Sequence, residues 1–349
     1  MWVYWLVFFL IVCFGAIYKY KLTKGSSWLF WFLGFLLFFL TAFRAEGVDN
    51  DYVTYLMAIK ENWGIREPAF AAISYISYDL LGSTKLVFVI FAIFIVTLLF
   101  FGLKRVTPFF YLSLLVYYAF YFSVYGFNAI RAGVGIGFLF FALKYWILNK
   151  KRMVFFFLTL ASLFHFSFFI FFPLYFFVKD DSKHLKVFIS LVPLGYLAYF
   201  IKVDVFSLLM MIPFPEIQQV VILYDEVGKD VIANANVFGL LIVIRLLFFC
   251  ALIAYREPLS NRFVGFNLYF KLYCIGLFFF VFFSGFKSGA FRTAELFWVT
   301  ECLLLPMFVV LFNPRWFGTL MIIILCLFMM VITYILSDFL RPFNFNFDL

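Results

Sequence analysis

The chain is poor in charge. Only 13% of its 349 residues are charged, against 67% hydrophobic, and the mean hydropathy is +1.08. Soluble domains are about half apolar and a quarter charged, so that class is excluded. Histidine is nearly missing: His165 and His184 alone are too few to build a metal centre from imidazoles. The five cysteines (Cys13, Cys250, Cys274, Cys302, Cys326) all lie inside apolar segments without paired ligand spacing. They read as small buried hydrophobes, which excludes a disulfide framework and a zinc site. No internal repeat and no separate soluble domain stands out. The net charge of +9 would suggest nucleic acid in a soluble protein. Here the cations sit in short loops between apolar runs, where they orient helices, and no nucleic-acid partner is implied.

What the chain has is apolar length. Runs approaching the roughly 20 residues that cross a bilayer core of about 30 Å fall at 2–18, 28–43, 86–103, 107–124, 133–148, 187–201, 237–255, 263–284, 294–312 and 317–337. They predict an all-α polytopic membrane protein of about 10–12 transmembrane segments. The whole chain, 1–349, reads as a single integral membrane domain.

The remaining apolar region, 153–178, is dense in Phe and interrupted by His165 and Pro173. Cation clusters flank it at Lys150/Lys151/Arg152 and Lys179/Lys183/Lys186. Both clusters are cytoplasmic by the positive-inside rule only if the region enters the membrane and returns. Each arm then has about 12 residues, about 18 Å of helix, which is too short to cross. A broken or re-entrant hairpin with His165 near its tip satisfies both conditions. The alternative is one tilted span, with the missing crossing supplied from 203–236. Long outer-face segments at 44–85 and 202–236 are expected to contribute to an active-site cavity.

Polar islands interrupt this background. The first is Arg44–Tyr52, with one cation and three carboxylates (Arg44, Glu46, Asp49, Asp51). The others are Gly126–Gly133, Phe164–Ser167 and Ser284–Arg292. Charge close to lipid is costly and tends to line a functional cavity, so the islands are expected to form one outer-face site. Arg44, Arg131 and Arg292 sit at outer ends of spans, among glycines that permit close backbone approach. Any one could be a snorkelling anchor. Together they suit a diphosphate, which guanidinium forks bind in two-pronged fashion. Asp49 and Asp51 form an Asp-x-Asp pair, which can hold a divalent cation or mark a solvated turn. No second ligand cluster accompanies it, so no metal is expected. A carboxylate there could instead be a general base, a role for which Glu67 and His165 compete. Lys144, Arg245 and Lys271 lie within spans and read as structural, with Glu301 a candidate partner.

At these residues the chain resembles the EpsG-type branch of the Wzy-like polysaccharide polymerases. Four pieces occur in the family's order: Phe43-Arg44 with Gly47, Val48, Asp49 and Tyr52; Glu67-Pro68; Asn128 to Gly133 around Arg131; and Ala161 to Ser167 around His165. A late Arg292 precedes a span containing Pro306. Ala132 stands where the family usually has Gln, and Phe168 where a small residue often follows the Ser.

The resemblance implies a fold similar to the GT-C membrane glycosyltransferases and an inverting glycosyl transfer without nucleotide sugar or other cofactor. A growing glycan on undecaprenyl diphosphate would pass to a lipid-linked repeat unit, at the extracytoplasmic face of the bacterial plasma (inner) membrane. Arg131 and Arg292 would hold diphosphate oxygens, assisted by Arg44. Asp49, Asp51 or His165 would activate the acceptor, and Asn128 and Tyr52 would contact substrate. Membrane lipid, a flippase and a chain-length regulator are the implied partners. Competing readings are an O-antigen ligase, which transfers once, and a lipid-linked oligosaccharide flippase or other transporter. The lack of a repeat and the clustering of charge at one face weigh against alternating access.

Overall fold

The computed structural model describes residues 1–17, 27–61, 67–205, 210, 211, 218, 235–336 and 340–347. Most of segment 202–236, including the charged run 224–230, and Arg66 lie outside the described residues. Among those described, the chain is helical, and extended pairing is limited to two isolated bridges. Helices are what lipid permits, because each satisfies its own backbone hydrogen bonds.

The contacts divide the chain into two compact units. The first, residues 1–179 and 301–349, opens with α1 (Trp2–Ile17), α2 (Ser27–Ala42), α3 (Tyr52–Glu61), α4 (Pro68–Ser74) and α5 (Thr84–Val106). It continues through α6 (Phe110–Phe120), α7 (Ile130–Ile147), α8 (Lys151–Phe164) and α9 (Phe171–Phe177). The second unit, 180–300, holds α10 (Leu185–Phe200), α11 (Leu240–Ala254), α12 (Arg256–Arg262), α13 (Phe266–Phe282) and α14 (Lys287–Trp298). Then α15 (Glu301–Met307) and α16 (Arg315–Val331) belong to the first unit again. There α7 packs between α5 and α8, and α6 against α1, α15 and α16.

Among the described residues, three helical stretches are long and apolar enough to cross a bilayer: Thr84–Val106, Ile130–Ile147 and Arg315–Ile335. Seven further apolar helices run 10–17 residues. Interruptions shorten two of the expected spans. The run 107–124 passes from α6 into a wide-turn π-helix at Ser123–Asn128, and 294–312 breaks between Trp298 and Glu301. Exposed surface supports the membrane class independently. On α16, Phe317, Leu320, Met321, Ile324 and Phe328 are exposed while Ile322, Cys326, Met329 and Met330 are buried. Both faces are apolar, as a helix needs when one side meets lipid. The chain is a multi-pass helical membrane protein.

Region 153–178 is a hairpin. α8 ends where His165 turns extended (φ −155°, ψ 116°), and a tight turn of 3₁₀ helix, Phe166–Ile170, leads into α9. Phe155, near the start of α8, meets Phe172, Tyr175 and Phe176 of the returning arm at 5.3–5.9 Å between centroids. Lys151 Nζ lies 5.1 Å over the Phe176 ring, and Trp146 Nε1 donates to the Val178 carbonyl at 2.7 Å. The two ends of the hairpin therefore lie together and His165 sits at its tip.

In the second unit, Lys271 donates to Asp181 at 2.8 Å and Arg245 lies 4.1 Å over the Trp298 ring. Glu301, in the first unit, accepts from the Tyr121 hydroxyl.

Candidate active site

Two polar clusters of the first unit occupy neighbouring positions, linked by α3. The first is closed. Arg44 follows α2 and is fully buried, as is Asp49, and they pair at 2.6 Å. All three guanidinium nitrogens are engaged: Nε with Asp49 Oδ2, Nη1 with the Thr41 carbonyl at 2.6 Å, and Nη2 with the Phe127 carbonyl at 3.0 Å. The rings of Tyr52, Phe88 and Phe127 surround the guanidinium at 4.9–5.7 Å. The remaining carboxylate oxygen, Asp49 Oδ1, accepts from the Asp51 backbone N–H at 3.1 Å. Asn128 ties the second island to the first. Its Oδ1 accepts from the Asn50 N–H at 3.2 Å and its Nδ2 donates to the Ser123 carbonyl at 2.9 Å.

This cluster is held shut by the far end of the chain. The segment 340–347 runs antiparallel to 43–49, with Ala45 N–H donating to the Asn344 carbonyl, Arg341 N–H to Val48 and Asn346 N–H to Phe43 at 2.9–3.0 Å. Phe343 packs on Tyr4 and Phe127, and Phe347 on Phe39 and Phe43. The alternating Asn/Phe sequence of the tail, Phe343 to Phe347, carries a weak strand signal.

The second cluster is partly open. Glu67 precedes Pro68, which biases it to extended backbone (φ −80°, ψ 126°) and starts α4 with proline at its first position. Its side chain makes no capping bond to the helix. It turns instead to Arg131, whose Nη1 donates to Oε2 at 2.5 Å, and to His165, whose Nδ1 lies 3.1 Å from Oε1. Ser167 Oγ is 3.2 Å from His165 Nε2. The side chains of Arg131 and His165 keep 28% and 29% of their surface exposed, whereas Glu67 keeps 7%.

Burial pushes the Glu67 carboxyl up, but the His165 hydrogen bond and the Arg131 charge outweigh it and hold it below its ordinary 4.5. An ionised Glu67 accepts a hydrogen bond from Nδ1–H, which fixes the tautomer and leaves the Nε2 lone pair facing Ser167. α3 supports both clusters from one face. Tyr52 lies against Arg44, and Tyr55, one turn later, lies 5.6 Å under Arg131 beside Phe70 at 5.4 Å.

Glycines on α7 permit this packing. A Cβ on Gly133 would run into the Tyr125 carbonyl, and one on Gly135 into the Phe168 ring. Phe168 is fully buried, so the bulky residue after Ser167 fills space that Gly135 leaves.

Three of the four islands therefore meet. Arg131, Glu67 and His165 form one open group, while Arg44, Asp49, Tyr52 and Asn128 form the closed support beside it. Asp51 is half-exposed at the start of α3. The fourth island belongs to the second unit, where Arg292 lies exposed on α14. The diphosphate role expected of Arg44 meets a physical obstacle: it has no exposed surface and each of its nitrogens is engaged. Tyr55, Phe70 and Ser167 complete the open group, and no motif pointed to the two aromatics. Their spacing is that of ordinary helix packing.

Fold and site together define a multi-pass helical membrane protein with a partly exposed arginine–carboxylate–histidine group. A model of the EpsG family matches residues 27–347, and the chain belongs to that family. Membership supports a polysaccharide polymerase-type role. The match runs through both units and into the tail that closes on Arg44. No curated protein and no solved structure matches the chain.

Proposed function

We propose that the protein is a glycosyltransferase that polymerises lipid-linked repeat units at the extracytoplasmic face of the bacterial plasma membrane. The observation that carries this is the Arg131–Glu67–His165 group, where a fixed cation and an oriented imidazole stand on one carboxylate. The donor is a growing glycan on undecaprenyl diphosphate and the acceptor a second lipid-linked unit.

Arg131 stands in the first turn of α7, where the helix dipole also favours an anion, and its guanidinium suits diphosphate oxygens. The acceptor hydroxyl oxygen attacks the anomeric carbon of the donor from the side opposite the diphosphate. Its proton passes to His165 Nε2, and the bond to the diphosphate oxygen breaks with its electron pair. Arg131 stabilises the charge that develops on that oxygen. One displacement inverts the anomeric centre. Glu67 holds the imidazole in the required tautomer and stabilises the imidazolium that forms. Arg44 and Asp49 act at one remove, by fixing the loop that carries α3.

The test uses the purified full-length chain with a polyprenyl-diphosphate-linked repeat unit and no nucleotide sugar. A product ladder at repeat-unit spacing is expected. Replacing Arg131 with Ala or His165 with Ala should lower the rate by about a hundredfold or more while the protein still folds. A single shifted band with an added acceptor would make the enzyme a ligase. Substrate crossing sealed vesicles without a new glycosidic bond would make it a transporter.

A further inference from the structure

His165 presents one nitrogen to Glu67 and the other to a hydroxyl of its own segment. Ser167 Oγ stands 3.2 Å from Nε2, two residues along the turn that begins at the hairpin tip. Ser167 is more exposed than His165. An exposed hydroxyl is thus already joined to the base. A serine hydroxyl has one proton to donate and two lone pairs to accept with. It can give its proton to Nε2 while receiving another from a hydroxyl on its outer side.

We propose that Ser167 is a catalytic residue that relays the acceptor proton to His165. The proposal rests on the reading of His165 as the general base. As the acceptor oxygen forms its bond to the anomeric carbon, its proton moves to Ser167 Oγ. The Ser167 proton moves at the same time to His165 Nε2, and the diphosphate leaves with the electron pair of the broken bond. Ser167 ends as it began, and the proton balance lies on His165. The acceptor hydroxyl is thus seated against Ser167 Oγ, on the exposed side of the hairpin tip.

Single-turnover rates of the full chain test this, with wild type, Ser167→Ala, Ser167→Thr and His165→Ala compared at equal thermal stability. Ser167→Ala should lower the rate constant by about tenfold or more, with half-saturation by acceptor shifted less than about twofold. Ser167→Thr, which keeps the hydroxyl, should stay within about threefold of wild type. In mixtures of light and heavy water, the wild-type rate should fall along a curve, because two protons move together. A Ser167→Ala variant working through one direct transfer should give a straight line. A full rate for Ser167→Ala with His165→Ala inactive would overturn the relay and leave the base standing. A full rate for His165→Ala would overturn the base itself. A glycan found covalently attached to Ser167 would overturn the relay by making the serine a nucleophile.

Discussion

Arg44 and Arg131 are the same side chain in two settings, and what surrounds each decides its role. Arg44 has lost all contact with water, and its charge is compensated by Asp49, two carbonyls and three ring faces. Removing one partner leaves an uncompensated buried charge. Arg44→Ala or Asp49→Ala should therefore destabilise the protein by about 3–5 kcal/mol, read from unfolding in detergent. Arg44→Lys should not restore stability, since one ammonium cannot reach acceptors set in the three directions of a planar fork. Wild-type stability in Arg44→Lys would count against the closed cluster. Glu67, in the partly open group, makes a prediction that depends on pH. Its carboxyl sits below the ordinary 4.5, so the unfolded chain takes up the proton first as pH falls. The stability it contributes is complete above that value and is lost as pH falls through the lower one. The thermal midpoint of wild type should approach that of Glu67→Gln as pH falls below the ordinary 4.5, and parallel curves would sink the idea.

At the level of elements, the site depends on how closely α7 accepts its neighbours. Gly135 faces the fully buried Phe168, and the contact fixes the 3₁₀ turn that carries Ser167 behind His165. Gly135→Ala should cost about 1–3 kcal/mol by overpacking. Combined with Phe168→Ala, the two effects should be less than additive, because the smaller side chain removes the clash. Strict additivity would mean the two do not touch. The π-helix Ser123–Asn128 works similarly on the other side of Arg131. Its wider turn brings the Phe127 carbonyl onto Arg44 and the Asn128 amide onto the backbone of Asn50.

At the scale of the molecule, the hairpin decides how the membrane is threaded. Lys150 and Lys179 stand at its two ends and Phe166 at its tip, all exposed. In a background without native cysteines, Lys150→Cys and Lys179→Cys should react with an impermeant thiol reagent from one side. Phe166→Cys should react from the other. Labelling of the two lysine positions from opposite sides would exclude a re-entrant hairpin in the bilayer and require a full crossing between them.

Much of this was legible along the chain because it depends on local quantities. Hydropathy sums over neighbours, so apolar runs alone imposed helices and excluded a soluble fold. The positive-inside rule and the length of two short arms implied the hairpin with His165 at its tip. The pieces around Arg44, Glu67, Arg131 and His165 marked the residues that meet. Their division of labour was not legible. Whether an arginine is sealed or open depends on Phe88, Phe127 and a tail some three hundred residues away, and none of these is near it in sequence. The same holds for Tyr55 and Phe70, which look like ordinary helix packing until Arg131 lies across them. Burial and charge compensation are properties of the space around a group, and distant segments fill that space only once the chain has folded.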